Sequence, residues 1–338
     1  MVLLTVVAAR PAPYVAFMPG SARDVEPLIT IEANGSEDLP ELDDIDNDLM
    51  FVTVSVRYPS GIEAIWRLLD DASDVVPSEL ILGSQSAEQN RSFNLQLMTA
   101  SKDKATKVAL ERSGFTVKVE PSGAVIVNLD PTYPAAAVLV PGDTVVGADG
   151  IPVKSTDDLI AAIDKHGPGA LIGLKIEKFG TGEVVEVKAE LAENPEKEGK
   201  AQLGVSLENR PSYEFPIKVS IDSGDVGGPS AGLAFTLAIV DRLTPGNLTG
   251  GSKVAVTGTI NLDGSVGPVG GVVQKTEAAV SAGATVFLVP PDEFADATRS
   301  ARDRLEVRKV TNLDEALAAL AELGGDPVPP ASTLVSDN

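Results

Sequence analysis

Residues 222–243 read DSGDVGGPSAGLAFTLAIVDRL, and residues 256–279 read VTGTINLDGSVGPVGGVVQKTEAA. In the first segment Pro229 and Ser230 open a run with helical character, among glycines at 227, 228 and 232. Proline at the first helical position is pre-organised for the helix and gives up no needed donor. The segment therefore predicts Ser230 just inside a helix from Pro229 to about Leu243. Free N–H groups at such a terminus stabilise developing negative charge, and glycines let a substrate backbone approach closely. The second segment predicts a β-hairpin region over 253–266 and a helix over about 273–282, stopped by Gly283. Lys275 lies on that helix near Val272, Ala278 and Ala279. An amine held among small apolar groups loses its charge readily, because desolvation disfavours ammonium. It can then accept a serine proton and return it to a leaving amine. Each segment also has a plain reading: a Pro-Ser helix start packed by small residues, and a surface lysine on an amphipathic helix.

Composition narrows the chemistry. The 338 residues hold 49 acidic and 27 basic side chains, one histidine and no cysteine. Without cysteine there is no disulfide, thiol nucleophile or thiolate metal site. His166 alone cannot build a zinc site of two or three histidines, and any Ser-His-Asp mechanism would have to pass through it. GPSAG also satisfies G-x-S-x-G, but that hydrolase fold needs its histidine after the serine, and His166 comes before Ser230. Ser101–Lys104 fits S-x-x-K, yet Lys102 and Asp103 make it a solvated helix face with no K-T-G following. His166 reads most simply as a surface residue. The net charge, 27 − 49 = −22, argues against nucleic acid and anionic membrane surfaces as partners. No metal and no other cofactor is expected.

Along the chain, Val2–Ala9 is apolar but shorter than a spanning helix, and residues 35–48 read as an acidic, solvated loop. Phe51–Val56 alternates as a strand, Ile62–Leu69 has helical spacing with Trp66 on its apolar face, and Met98–Glu111 reads as a helix ended by Gly114. From Phe115 to Leu191 short β-branched runs alternate with turn residues around one helix at Thr156–Asp164. ENPEKEGK at 193–200 reads as a linker. A strand at Ile217–Ile221 precedes the Ser230 segment; strands at Thr285–Val289 and Leu305–Val310 follow the Lys275 helix. A final helix starts at Asn312, with Glu315 as the reciprocal half of a capping box.

GGPSAG, the TGTINLDGSVGPVGGVVQKTEAA run and AGATVFLVP together resemble the proteolytic domain of the Lon family. There a serine in a GPSAG segment and a lysine in a GG-x-x-x-K-x-x-AA segment form a Ser-Lys dyad. The resemblance implies Ser230 as nucleophile and Lys275 as general base and acid. It implies Thr257 as the residue that helps hold the lysine, with backbone amides near Gly228–Ala231 as the oxyanion site. Two departures are visible. Many relatives carry an acidic residue where this chain has Gly227, and the glutamate of the family's TGE segment is Thr259 here. No G-x-x-x-x-G-K-[ST] occurs, and GNLTGGSK lacks its spacing.

Residues 123–150, GAVIVNLDPTYPAAAVLVPGDTVVGADG, resemble bacterial PDZ domains through Pro134-Ala135, Pro141-Gly142-Asp143 and Gly150. Such a module offers a sheet edge to an extended peptide; the loop for a terminal carboxylate is expected around Gly114 and Phe115. The expected fold is α+β, a Lon-type proteolytic domain with an inserted or preceding PDZ-like β-module. Its expected parts are an arm (1–24), an N-terminal protease segment (25–112), the PDZ-like module (113–193), the catalytic domain (200–325) and a flexible tail (326–338). The expected activity is ATP-independent endopeptidase action on polypeptides, with the PDZ-like module selecting or gating substrates. A non-catalytic PDZ adaptor and an autoinhibited protease stay open as alternatives. PDZ joined to Lon-type protease, with PAPYVAFMPG near the start, resembles bacterial membrane-anchored proteases. That resemblance implies N-terminal attachment to the cell membrane, an extracytoplasmic protease part and, by analogy, a homo-oligomer.

Overall fold

The computed structural model describes residues 12–33, 48–70, 72–82, 86–179 and 181–330. The apolar run at 2–9, the acidic stretch at 35–47 and the tail at 331–338 lie outside the described residues. The chain forms two compact units, one of Met1–Val117 with Phe215–Asn338 and one of Lys118–Glu214. The strand-rich unit is thus an insertion.

The first unit is built on a six-stranded sheet in the order Glu306–Lys309, Val286–Val289, Val254–Val256, Leu49–Arg57, Tyr14–Asp24, Asp74–Pro77. The first four strands run parallel and the last two pair antiparallel. Alternation along a strand sends neighbours to opposite faces. Met50 and Val52 accordingly join Phe287 and Val289 under helices Val272–Ser281 and Phe294–Ala301. On the strand that carries Met50 and Val52, Phe51 instead meets Phe235 of helix Gly232–Leu243, ring centroids 5.7 Å apart. That helix is apolar almost all round, as a helix covered on every side must be. Its outer cover is helix Ala87–Arg112, whose N-terminus is closed by a Ser86–Gln89 capping box.

Several local expectations shift. Lys253–Val266 is not one hairpin: Val254–Val256 is a central parallel strand, and only Thr259–Ile260 with Val266–Gly267 form a ribbon. Asn312 caps helix Leu313–Glu322 by accepting from the Glu315 N–H, but the Glu315 carboxylate takes the Thr311 N–H rather than completing the box. Helix Gly61–Arg67 buries only Ala64, leaving Trp66 70% exposed. It lies at the sheet's outer edge beside Asp74–Pro77, where no further layer covers it among the described residues. None of the described helices is long and apolar enough to cross a membrane.

The inserted unit has the strand order Val205–Glu214, Lys118–Leu129, Thr144–Ala148, Leu171–Glu177, Val184–Glu190, with helix Thr156–Ile163 packed on it. It runs past the expected limit at 193. ENPEKEGK is the turn of a short ladder between Ala192–Glu193 and Ala201–Gln202, and the chain then returns along Lys118–Leu129. Lys118 and Glu214 are paired across that ladder, so the unit begins and ends at one place. Asp143 of the Pro-Gly-Asp turn is fully buried, bound by Lys178 Nζ at 2.7 Å and by the Phe179 N–H at 3.0 Å. The lone histidine, His166, bonds Asp149 at 2.7 Å.

Trp66 is the chain's one tryptophan, so its fluorescence reads this edge alone. Emission typical of a water-exposed indole and free quenching by acrylamide are expected. Shielded emission would show that another surface covers helix Gly61–Arg67.

Candidate active site

The loop between strand Ile217–Ile221 and helix Gly232–Leu243 carries Ser230. The helix starts at Gly232, so Ser230 precedes it rather than standing just inside. The cause is local: the Ser230 carbonyl is taken by the Gly258 N–H at 3.0 Å and the Thr257 hydroxyl at 3.3 Å, not by a helical turn. From the other side, helix Ala87–Arg112 clamps the same loop. The Asn94 carbonyl accepts the Gly228 N–H at 2.7 Å, and the Ser101 hydroxyl donates to the Pro229 carbonyl at 2.9 Å. A Cβ at Gly227 would fall 2.8 Å from the Asn94 Cβ, closer than side chains approach. An acidic residue, which many relatives of the resembled family carry there, does not fit this arrangement.

Lys275 sits in the first turns of helix Val272–Ser281 and is only 3% exposed. Its Nζ donates to Thr257 Oγ1 at 3.0 Å. Thr257, also fully buried, donates its single hydroxyl proton to the Ser230 carbonyl, so toward Lys275 it acts as acceptor. Desolvation pushes the Lys275 ammonium down to about 7, partly opposed by the charge of Glu293. An amine with such a pKa is substantially neutral near physiological pH and can act as a base.

Ser230 and Lys275 line one open cavity of about 1740 Å³ in the first unit, with Asn94, Met98, Thr259 and Gly271. The N–H groups of Ser230 and Ala231 have no hydrogen-bond acceptor among the described residues, whereas that of Gly228 is spent on Asn94. The structure thus brings Ser230, Lys275, Thr257 and Ala231 to one place and leaves Gly228 as a loop anchor. Asn94, Ser101 and Glu293 were not legible as site residues. They lie far from the motifs in sequence and follow no local spacing. Among the described residues there is no group of acidic or histidine side chains that could hold a metal ion.

Gly114 and Phe115 lie outside the inserted unit. Their N–H groups close the end of helix Ala87–Arg112, on the carbonyls of Glu111 at 3.1 Å and Leu110 at 2.9 Å. They therefore do not offer open donors to a carboxylate. One of the sheet's two edge strands is Val205–Glu214, which, like Val184–Glu190 at the other end, has a strand partner on one side only among the described residues. It is flanked by helix Thr156–Ile163, whose Thr156 N–H bonds Asn209 Oδ1 at 2.7 Å. Leu203-Gly204 leads into this edge. Gly204 has φ +73°, and a Cβ there would fall on the Tyr133 ring.

The first unit thus sets a serine and a buried lysine on one open cavity, tied through the Thr257 hydroxyl. Residues 175–322 match the Lon protease (S16) C-terminal proteolytic domain, and residues 112–190 match the PDZ domain. The chain is 34% identical over 152 residues to the Lon protease of Methylocella silvestris, covering 44% of this chain and 18% of that protein. It is 29% identical over 241 residues to the Lon protease of Mycolicibacterium smegmatis, covering 69% of this chain and 30% of that one. The chain thus spans less than a third of the length of these curated relatives. Among solved structures it is similar to the PDZ domain of an SdrC-like protein from Listeria innocua, at 21% identity and a TM-score of 0.24, covering 26% of this chain and 96% of that one. This chain carries a Lon-type proteolytic domain with a PDZ domain inserted in it.

Burial of Lys275 has a measurable consequence for stability. Below about 7 the amine is protonated in both folded and unfolded chains, and the folded chain bears the full desolvation cost. As pH rises from about 7 towards 10.5 only the unfolded chain holds the proton, so this cost is relieved and stability climbs. Lys275→Met is expected to exceed the wild type by up to a few kcal/mol below about 7, with the gap closing towards 10.5. Urea unfolding over that range measures it, and a gap independent of pH would contradict burial of the amine.

Proposed function

We propose that this chain is an ATP-independent serine endopeptidase acting on polypeptides through Ser230 and Lys275. The observation that carries the reading is a buried, near-neutral amine tied through one threonine hydroxyl to the backbone of a cavity-lining serine. In the first step Lys275 Nζ takes the Ser230 hydroxyl proton while Oγ bonds to the scissile carbonyl carbon. The N–H groups of Ser230 and Ala231 receive the oxyanion. The Lys275 ammonium then gives its proton to the departing amine as the C–N bond breaks, leaving an ester on Ser230. Water, deprotonated by the same amine, attacks that ester and regenerates the serine. Thr257 keeps the amine in place. A non-catalytic adaptor would have no use for an amine buried at a stability cost, which favours the peptidase.

Strand Val205–Glu214 supplies the edge on which an extended peptide would add as a further strand beside helix Thr156–Ile163. In this reading the inserted unit selects or gates substrates. ATP independence is proposed for the peptide-bond chemistry itself, whose steps use Ser230, Lys275 and water and no nucleotide. The proposal also includes attachment to the cell membrane through the N-terminal apolar run, with the protease part outside the cytoplasm, and assembly with further copies. Fractionation of cells and sizing of the purified chain test those parts.

Ser230→Ala is expected to lower casein or peptide cleavage roughly a thousandfold or more while leaving thermal unfolding unchanged. Lys275→Arg is expected to be as inactive, since guanidinium is no base at neutral pH. Added ATP and magnesium should not change the wild-type rate. Cleavage surviving in Ser230→Ala would contradict the assignment. Replacing 118–214 by a short Gly-Ser linker joins two chain ends that already lie side by side. If the inserted unit selects substrates, cleavage of a short peptide should persist without it; a rise in that rate would show autoinhibition instead.

A further inference from the structure

The turn Pro268–Gly271 leads into the helix that bears Lys275, and all four of its residues line the cavity with Ser230. Glu293, just before helix Phe294–Ala301, reaches back to this turn, where its Oε1 accepts the Val269 N–H at 2.9 Å. Its Oε2 is buried and has no hydrogen-bond partner among the described residues. The acyl-transfer steps above make no use of this carboxylate. We propose that Glu293 is a positioning residue for Lys275: it clasps the turn that starts the lysine's helix and sets a fixed negative charge behind the amine.

The arrangement answers a conflict between burial and basicity. Complete desolvation without a counter-charge makes an amine too weak a base, whereas a direct carboxylate partner would hold it permanently as ammonium. Nζ bonds Thr257, not a carboxylate, and no ion pair to Lys275 is formed among the described residues. Glu293 instead acts from the neighbouring turn, and its charge raises the proton affinity that desolvation lowers. The other charged groups facing the cavity are Arg23, Asp74, Glu88 and Arg91 on the sheet and the clamping helix, and Asp225 on the serine loop. All five are exposed, so water and salt screen them. Glu277, on the lysine's own helix, is committed to Arg304.

Glu293→Gln keeps an oxygen for the Val269 N–H and removes the charge. The test is a pH titration of the full chain labelled with ¹³Cε-lysine and followed by NMR. In the wild type one lysine resonance should titrate near neutrality and be absent from Lys275→Met. In Glu293→Gln its midpoint should fall by about one pH unit, and the acidic limb of kcat/KM should move with it. Glu293→Asp, which keeps the charge but shortens the clasp, should hold the midpoint near the wild-type value. An unmoved midpoint in Glu293→Gln, or an equal fall in Glu293→Asp, would overturn the proposal. It rests on the Ser-Lys reading, but the titration is read without turnover. A chain that cleaves nothing yet shows the shift would sink the peptidase assignment and not this one. An active peptidase with no shift would do the reverse.

Discussion

An amine placed almost wholly out of water, with one threonine hydroxyl as its hydrogen-bond partner among the described residues, is the constraint on which the site depends. Lys275 is 3% exposed and its Nζ is bonded to Thr257. A hydroxyl has one proton, and Thr257 spends it on the Ser230 carbonyl. Toward the amine it can therefore only accept. The neutral amine keeps its lone pair for another proton, which is what a general base requires. One side chain thus fixes the position of the lysine and the backbone of the serine together.

The rest of the first unit keeps that contact in place. The serine loop is held on one side by residues 257 and 258, at the end of a central parallel strand, and on the other by helix Ala87–Arg112. That helix and strands Tyr14–Asp24 and Leu49–Arg57 precede residues 175–322, yet they belong to the same compact unit. A unit inserted between the clamping helix and the serine loop leaves this geometry undisturbed only if its two ends meet. The pairing of Lys118 with Glu214 provides that.

Ser230 and Lys275 were legible as candidates from their segments and were singled out by the resemblance those segments carry; Thr257 was legible through that resemblance alone. Other parts were not. Asn94 and Ser101 reach the serine loop across more than a hundred residues, and no local period records such a contact. Helix Phe294–Ala301 is only two turns long and fully buries just Ala297 and Ala301, with Phe294 half-buried against the core, too short an apolar pattern to stand out. Strand Val205–Glu214 is an edge, so most of its side chains meet water and it contains Pro211; its composition resembles a loop. Proline's preference for the first helical position predicts Ser230 inside the helix. Tertiary bonds to its carbonyl, invisible in sequence, moved the helix start to Gly232.

The central claim is that Lys275 makes Ser230 nucleophilic. A fluorophosphonate reports this directly, because it forms a stable ester only with an activated serine. Intact mass and peptide mapping of the full chain should show one adduct, on Ser230, and its near-complete loss in Lys275→Met although that variant remains folded. Absence of the adduct from Ser230 in the wild type, or labelling at the same rate in Lys275→Met, would contradict the account.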